Sequence, residues 1–387
     1  MIKSVHVKNY RGIGDVSVEL GPLTAFVGRN GAGKSSFVDA LRFVRDAMTV
    51  GLDDAILERQ GIATLRRWAP TRPYDVEIQL IVETRHIVAD YGFTIASGQE
   101  GNYRVKTERC VVARGESKPI SFERRGEKWI TAPGDFSPLR ARLDPGNLVL
   151  PTLGVVSPLF NHLRNTFRSM GFYTIFPNTL REPQKPSPQK RLEDHGENLA
   201  TAIRQLKKGS WFNDLVSALS KIVGGVQDIR VQQVGGFLVT ELKHQIKGGY
   251  LPWFNLSQES DGTLRMLGLL VALYQNTQGG VVAIEEPELT LHPGAMGLLS
   301  DILHEAAHRG QLLLTTQSPD LISRFAADEL RIVEKVEGIT EIGFIAEAQR
   351  ETLNEQLFSA GDLLRIEDLR RENATVAEEN AENRTSG

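Results

Sequence analysis

Cysteine is nearly absent: Cys110 is the only one in 387 residues, which excludes an internal disulfide and a cysteine-based zinc site. Long apolar runs are missing too. No uninterrupted stretch approaches the roughly 20 residues of a membrane helix. The N-terminus also lacks the charged-then-apolar pattern of an export signal, so a cytoplasmic location is expected. Neither sign of charge dominates: 45 Lys and Arg against 48 Asp and Glu leave a net charge of −3, so any nucleic-acid surface must be local. No long heptad run occurs, and the Gly- and Pro-containing middle of the chain has no room for an extended coiled coil. What is present is ordinary globular usage, 41% hydrophobic and 24% charged, in a length that suits one large or two medium domains.

Against that plain background one segment stands out. Gly28 to Ser35 reads G-R-N-G-A-G-K-S, a complete G-x-x-x-x-G-K-[ST] phosphate loop, directly after the apolar run Leu23 to Val27. Glycines at Gly28, Gly31 and Gly33 let the backbone wrap around phosphates with its N–H groups inward. Lys34 is expected to reach the β and γ phosphates, and Ser35 to hold Mg²⁺. A helix that begins here, with Phe37, Val38 and Leu41 at core spacing, aims its positive end at the anion. The expected ATP-binding residues are Gly28, Asn30, Gly31, Ala32, Gly33, Lys34, Ser35 and Ser36.

A second apolar run, Val281 to Ile284, ends in the acids Glu285 and Glu286 within G-G-V-V-A-I-E-E-P-E-L-T-L-H-P. A continuous apolar strand belongs in a parallel sheet, and it is expected beside the phosphate-loop strand. Glu285 would help hold Mg²⁺, and Glu286 would orient or deprotonate the attacking water. Two adjacent carboxylates at a strand end are costly without a cation. Upstream by 25 residues from Glu285, Ser260-Asp261-Gly262-Thr263 leads into an apolar helix and by itself reads as an N-cap. Downstream, a helix from about Gly294 to His308 and a strand Gln311 to Thr315 lead to Thr316-Gln317-Ser318-Pro319.

These motifs, in this order, resemble those of ABC-type ATPases, in the branch that includes the RecF, Rad50 and SMC proteins and the stand-alone bacterial AAA family ATPases. The likeness rests on residues 1 to 45 and 250 to 335. It implies an α/β fold of P-loop NTPase, ABC-ATPase type: a mixed sheet lobe with an antiparallel β extension, plus a helical lobe. It also implies that Ser260 and Gly262 grip the γ-phosphate held by a facing subunit, so that function requires a homodimer. The family's switch position, usually His, is Gln317 here. Gln can donate a hydrogen bond to phosphate but carries no charge, so turnover is expected to be slow. Asn9-Tyr10-Arg11-Gly12, at the bend of a strand pair within Ile2 to Leu20, matches the family's aromatic-Arg segment. Arg11 would lie near the nucleotide, or is a plain turn arginine. Some related antiphage ATPases carry a nuclease domain with a metal-binding Asp-x-Asp pair; none occurs in the 70 residues after Gln317. If DNA is cut, a separate partner is expected to cut it.

Lys34 and Glu285 are 251 residues apart, more than a minimal ATPase core needs. Val76 to Val82, Tyr91 to Ala96 and Tyr103 to Val112 alternate as strands, with turns expected at Arg114-Gly115-Glu116 and Arg124-Arg125-Gly126. Leu148 to Met170 reads as helical, Phe172 to Phe176 as a short strand, and Pro177 to Pro188 as a loop. In that loop Gln184 is the candidate for the lobe-joining glutamine that senses Mg²⁺ and γ-phosphate, or else an exposed loop residue. Arg181, Lys185, Lys190 and Arg191 give the loop a positive field for a phosphate backbone, or simply solvate it. Asn198 to Leu206 and Trp211 to Ile222 read as amphipathic helices, Leu330 to Val333 and Thr340 to Ile345 as final strands. His304-Glu305-Ala306-Ala307-His308 matches the H-E-x-x-H zinc motif, but no third ligand comes after it.

The expected divisions are 1–176 and 263–346 for the two parts of the sheet lobe, 177–262 for the joining loop and helical lobe, and 347–387 for a polar, partly disordered end. Two functions compete: a RecF-like ATPase that dimerises on ATP and acts on DNA in repair, and a regulatory ATPase of an antiphage defence complex with a separate nuclease or toxin as effector. A membrane-transport ATPase fits the motifs less well.

Overall fold

In the computed structural model, which describes residues 1–70, 74–98, 101–115, 117–131, 143–245, 249, 251–276, 279–355 and 357–372, the alternation of Ile2 to Leu20 becomes a hairpin of β1 (Ile2–Lys8) and β2 (Asp15–Glu19). The chain divides into two units that interleave in sequence. Met1–Met170, Ala326–Phe358 and Ile366–Gly387 form the first; Gly171–Phe325 and Ser359–Arg365 form the second.

In the first unit β1 and β2 continue into β4 (Val76–Glu83), β5 (Val88–Ser97), β6 (Tyr103–Ala113), β7 (Ile120–Arg125) and β8 (Lys128–Thr131), a seven-stranded antiparallel sheet in the order β2-β1-β4-β5-β6-β7-β8. Period-two alternation buries one face of it, where α4 (Leu150–Val156) and α5 (Pro158–Arg168) lie. Phe160 of α5 meets Phe122 at 5.4 Å between ring centres, and Phe167 meets Tyr91 at 5.6 Å. β3 (Leu23–Val27) is buried at every position and pairs in parallel with β15 (Leu330–Val336), which is followed by the antiparallel β16 (Ile339–Gly343). Helix α1 (Lys34–Thr49) returns over β3, with the Phe26 and Phe37 rings 4.9 Å apart, and short helices α2 (Leu52–Leu57) and α3 (Ile62–Leu65) come next.

Arg124 is not a turn residue. It lies in β7 and is fully buried, because its guanidinium donates to the carbonyls of Gly126, Asn147 and Asp144 at 2.9, 2.7 and 3.1 Å. A satisfied arginine tolerates burial that its composition argues against. The other expected turn includes Glu116, outside the described residues. Next to Arg124, the buried Glu108 carboxyl accepts the N–H groups of Val149 and Leu150 at 2.6 and 3.0 Å and the Tyr91 hydroxyl at 3.0 Å, and so ties the start of α4 to the sheet.

Burial pushes the Glu108 pKa up, against the opposing pull of those two N–H groups, Arg124 and Tyr91. Glu108→Gln turns an amide donor toward backbone donors and is expected to cost about 1–3 kcal/mol in urea unfolding. Because the folded pKa lies above its ordinary value of 4.5, the stability from Glu108 is fully present below that value and is lost as pH rises through the folded pKa. The gap between wild type and variant should therefore narrow with rising pH; a gap that widens contradicts the assignment.

The second unit holds β9 (Gly171–Tyr173), α6 (Pro177–Arg181), α7 (Leu199–Leu206), α8 (Phe212–Val223) and an antiparallel sheet of β10 (Val226–Val234), β11 (Phe237–His244) and β12 (Trp253–Asn255). Then come α9 (Asp261–Tyr274), β13 (Val281–Glu285), α10 (Met296–Arg309), β14 (Gln311–Thr316) and α11 (Pro319–Ile322). β13 does not have the neighbour expected for it: it pairs in parallel with β14 on one side and β9 on the other, and so does not lie beside β3. An apolar run declares burial on both faces but not which strands provide it. The proline-rich loop also starts later than expected. Pro177–Arg181 forms α6, since proline at the first helical position has the right φ and no N–H to lose.

Among the described residues of 347–387 there are two helices, α12 (Glu347–Asn354) and α13 (Ala360–Ile366). Residues 373–387, the last part of the polar end expected to be partly disordered, lie outside the described residues. Among the described residues no helix is long and apolar enough to cross a membrane.

Candidate functional site

The phosphate loop is built by steric exclusion as much as by sequence. A side chain at Gly28 would meet the Val333 carbonyl oxygen at 2.1 Å, and one at Gly33 the Thr340 hydroxyl at 2.3 Å, with φ of +113° at Gly33. Gly31 takes φ of +78° with open space where a side chain would point. Thr340 of β16 braces the loop: its hydroxyl donates to the Ala32 carbonyl at 2.8 Å, and its backbone N–H donates to Gly12 at 2.8 Å. No motif pointed to Thr340, which acts through a β-hairpin more than 300 residues away in sequence.

Helix α1 begins at Lys34 with Gly33 as its N-cap, no side-chain cap and no acid in its first turn. Its first intrahelical bond is donated by Phe37 to Gly33, so its opening N–H groups face the loop. The aligned peptides of a 16-residue helix end there, and no carboxylate of the first turn answers their dipole. Lys34 is buried, and its ammonium donates to the Gly28 and Arg29 carbonyls at 2.7 and 3.2 Å. A lysine held on its own loop by neutral carbonyls, at an uncapped helix start, suits a polyphosphate.

Arg11 sits at the expected bend, with φ of +48°, and pairs with Asp39 of α1 at 2.9 Å. The same carboxylate accepts the Tyr10 hydroxyl at 2.6 Å and Arg59 at 3.1 Å. Arg11, Glu58, Arg59, Gln60 and Thr64 line a cleft of about 410 Å³. The bend is thus fastened to the phosphate-loop helix by charge.

In the second unit the paired acids leave β13 in different directions. Glu285 ends the strand and accepts the Thr174 hydroxyl at 3.3 Å. Glu286 donates its N–H to Thr315 at 2.9 Å and then turns with φ of +46°, a left-handed conformation that costs a residue with a Cβ about 1–2 kcal/mol. That turn lets the Glu286 carboxylate accept from the Gln317 carboxamide at 3.1 Å. Glu288, buried two residues on, accepts the Thr316 hydroxyl at 2.6 Å. Burial is the main cause that raises its pKa.

Ser260 caps α9, its hydroxyl accepting the Thr263 N–H at 3.2 Å. Gly262 packs so closely on the turn after the acids that a side chain would lie 2.9 Å from the Thr290 carbonyl oxygen. Arg181 donates to the Glu259 carbonyl and the Asp261 carboxylate at 3.1 and 2.5 Å. It braces the start of α9.

Gln184 is neither exposed nor available as a sensor. Its amide donates to Gly196 at 2.9 Å, its oxygen accepts the Ala200 N–H at 2.8 Å, and its backbone pairs with Leu238. A buried carboxamide with both ends bonded to backbone is a structural tie.

His304 of the H-E-x-x-H segment turns its Nδ1 to the Ser300 carbonyl at 2.8 Å and its ring to Phe325. Among the described residues no group of three His, Cys, Asp or Glu could hold a metal ion. The Ser35 hydroxyl and the Glu285 carboxylate are each, taken singly, hard oxygen donors of the kind Mg²⁺ takes.

The profile of the family described as "AAA domain, putative AbiEii toxin, Type IV TA system" matches residues 23–323. The chain belongs to this AAA family. Old nuclease of Escherichia phage P2 is 22% identical to it over 376 residues, covering 87% of this chain and 60% of that protein. OLD nuclease of Thermus scotoductus is 25% identical over 369 residues, covering 87% and 62%. The chain therefore spans about three fifths of the length of these curated relatives. In fold it is similar to an Smc head solved with the C-winged helix domain of ScpA, with a TM-score of 0.52, 13% identity and coverage of 91% of this chain and 99% of that one. The AAA-family chain has the α/β fold of an SMC head.

Proposed function

We propose that this chain binds and hydrolyses Mg-ATP, closes as a homodimer when ATP is bound, and works on DNA in repair or maintenance. The observation that carries the hydrolytic part is Glu286, a residue with a Cβ held at φ of +46° so that its carboxylate meets Gln317. Strain of this kind persists where the surroundings over-determine it, commonly at sites of chemistry.

Lys34 and the N–H groups from Gly31 to Ser36 bind the phosphates, with Asn30 and Ala32 shaping the loop and Arg11 beside it. Ser35 and Glu285 are the proposed Mg²⁺ ligands. The cation, when bound, neutralises charge that builds on the phosphate oxygens. Glu286 takes a proton from the attacking water, and Gln317 orients that carboxylate. Ser260 and Gly262 serve the γ-phosphate held by the partner copy. ATP then favours the closed dimer through contacts that ADP lacks.

A second reading, a regulatory ATPase of an antiphage defence complex acting with a separate nuclease or toxin, is favoured by the family description, which names a toxin system, and by the similarity to a phage-encoded nuclease.

The mass of Glu286→Gln in solution, alone, with Mg-ATP, and with Mg-ATP plus duplex DNA, tests the proposal. A shift from monomer to dimer with ATP that DNA strengthens is expected. A fixed oligomer indifferent to both overturns the dimer clamp and favours the partner-dependent reading.

A further inference from the structure

The turn after the paired acids contains a third one, Glu288, which the site as proposed leaves without a task. It is 7% exposed. One of its oxygens accepts the Thr316 hydroxyl at 2.6 Å and the Gln317 backbone N–H at 3.4 Å. The other, Oε2, is buried and has no hydrogen-bond partner among the described residues. Leaving a carboxyl oxygen buried and unmatched is costly, and an apolar side chain would avoid that cost. The surrounding charges offer little relief: Glu286 lies near with the same sign, and Arg265 of α9 is the cation that feels both acids.

The two contacts of this carboxyl meet at one corner of the chain. Thr316 ends β14, and the chain leaves the sheet at Gln317. Thr316 turns its hydroxyl to Glu288 and accepts the Ser318 N–H at 3.1 Å with the same oxygen. Gln317 has its backbone N–H on Glu288 and its carboxamide on Glu286. The three-residue step from Glu286 to Glu288 therefore grips Gln317 at both ends, backbone by one acid and side chain by the other.

We propose that Glu288 is a positioning residue for ATP hydrolysis, which locks the Thr316-Gln317 corner so that the Gln317 carboxamide stays on Glu286. The inference rests on the proposed role of Glu286. The action of Glu288 needs only a hydrogen-bond acceptor of the right length, not a negative charge. Glutamine should serve in its place and alanine should not.

The test compares Glu288→Gln and Glu288→Ala with wild type by steady-state ATP hydrolysis and by the side-chain amide NMR signals of Gln317, assigned through their loss in Gln317→Asn. Glu288→Ala should lower kcat about tenfold or more with KM within about threefold. It should also move the Gln317 amide signals toward those of a free glutamine. Glu288→Gln should keep both kcat and the amide signals close to wild type.

Thr316→Val removes the hydroxyl from the other side and should reproduce the alanine phenotype, with no further loss when the two are combined. It serves if Glu288→Ala does not fold, and Thr316→Ser should rescue it. If Glu288→Gln is as inactive as Glu286→Gln, the carboxylate takes part in the chemistry and the proposal is wrong. Unchanged Gln317 signals in both Glu288→Ala and Thr316→Val overturn it as well. The NMR comparison does not depend on turnover, so a wild-type chain that releases no phosphate defeats the ATPase reading separately from this one.

Discussion

Lys34→Ala is expected to weaken ATP binding by about 10²–10⁴-fold, the loss of two charge-assisted contacts to phosphate at about 1.5–3 kcal/mol each. In the free chain the Lys34 ammonium is held by the carbonyls of Gly28 and Arg29, neutral partners that the oxygens of a bound phosphate would replace. Alanine removes the charge and leaves both carbonyls without that donor. The helix start and the glycines remain, so some affinity for the triphosphate should survive at high concentration. Titration with a fluorescent ATP analogue reads the effect, and thermal melting separates it from unfolding. An affinity equal to wild type would mean that the loop is not the nucleotide site.

Glu286→Gln should leave ATP affinity within a few-fold of wild type and lower kcat by about 10²–10⁴, the range for removal of a general base. The amide is isosteric and can still sit at φ of +46°, so the turn is preserved. It cannot accept a proton, and it presents a second carboxamide to Gln317 in place of an anion. Rapid-quench measurement of phosphate formation would separate this chemical step from product release. Normal turnover would place the base elsewhere. Glu288 would then be the first group to examine, because it lies on the same turn and its carboxyl is buried at the same strand end.

The contrast between these two acids shows what a motif conveys. E-E-P-E is plain in the chain, and the roles proposed for the first two acids are suggested by their place at a strand end. The third suggests no role from the sequence, although it is the most deeply buried of them. Nothing in the local pattern distinguishes a solvated acid from one that grips a neighbouring strand, because the grip is made to Thr316, 28 residues away. Gln184 differs from its expected role for a related reason. Its proline-rich surroundings suggest exposure, yet its carboxamide closes backbone bonds at Gly196 and Ala200. Arg124, beside Arg125 and Gly126, has the look of a turn residue, and only the carbonyls from residues 144 and 147 explain why it is buried in a strand.

By itself the sequence determined the local devices of this ATPase: the strand, glycine-rich loop and helix of residues 23–49, the apolar strand that ends in Glu285, the capped helix at Ser260 and the alternating strands of the first unit. Each depends on short-range rules, the steric freedom of glycine, the period of side chains along a strand and the capping of a helix, so each is written in adjacent residues. Only the tertiary structure decided that β13 lies between β14 and β9, that Thr340 braces the phosphate loop, and that Glu286 and Glu288 hold Gln317 between them. Those facts depend on which distant partners satisfy a buried polar group or flank a buried strand. A chain specifies that choice through the packing of the whole, and no single segment carries it.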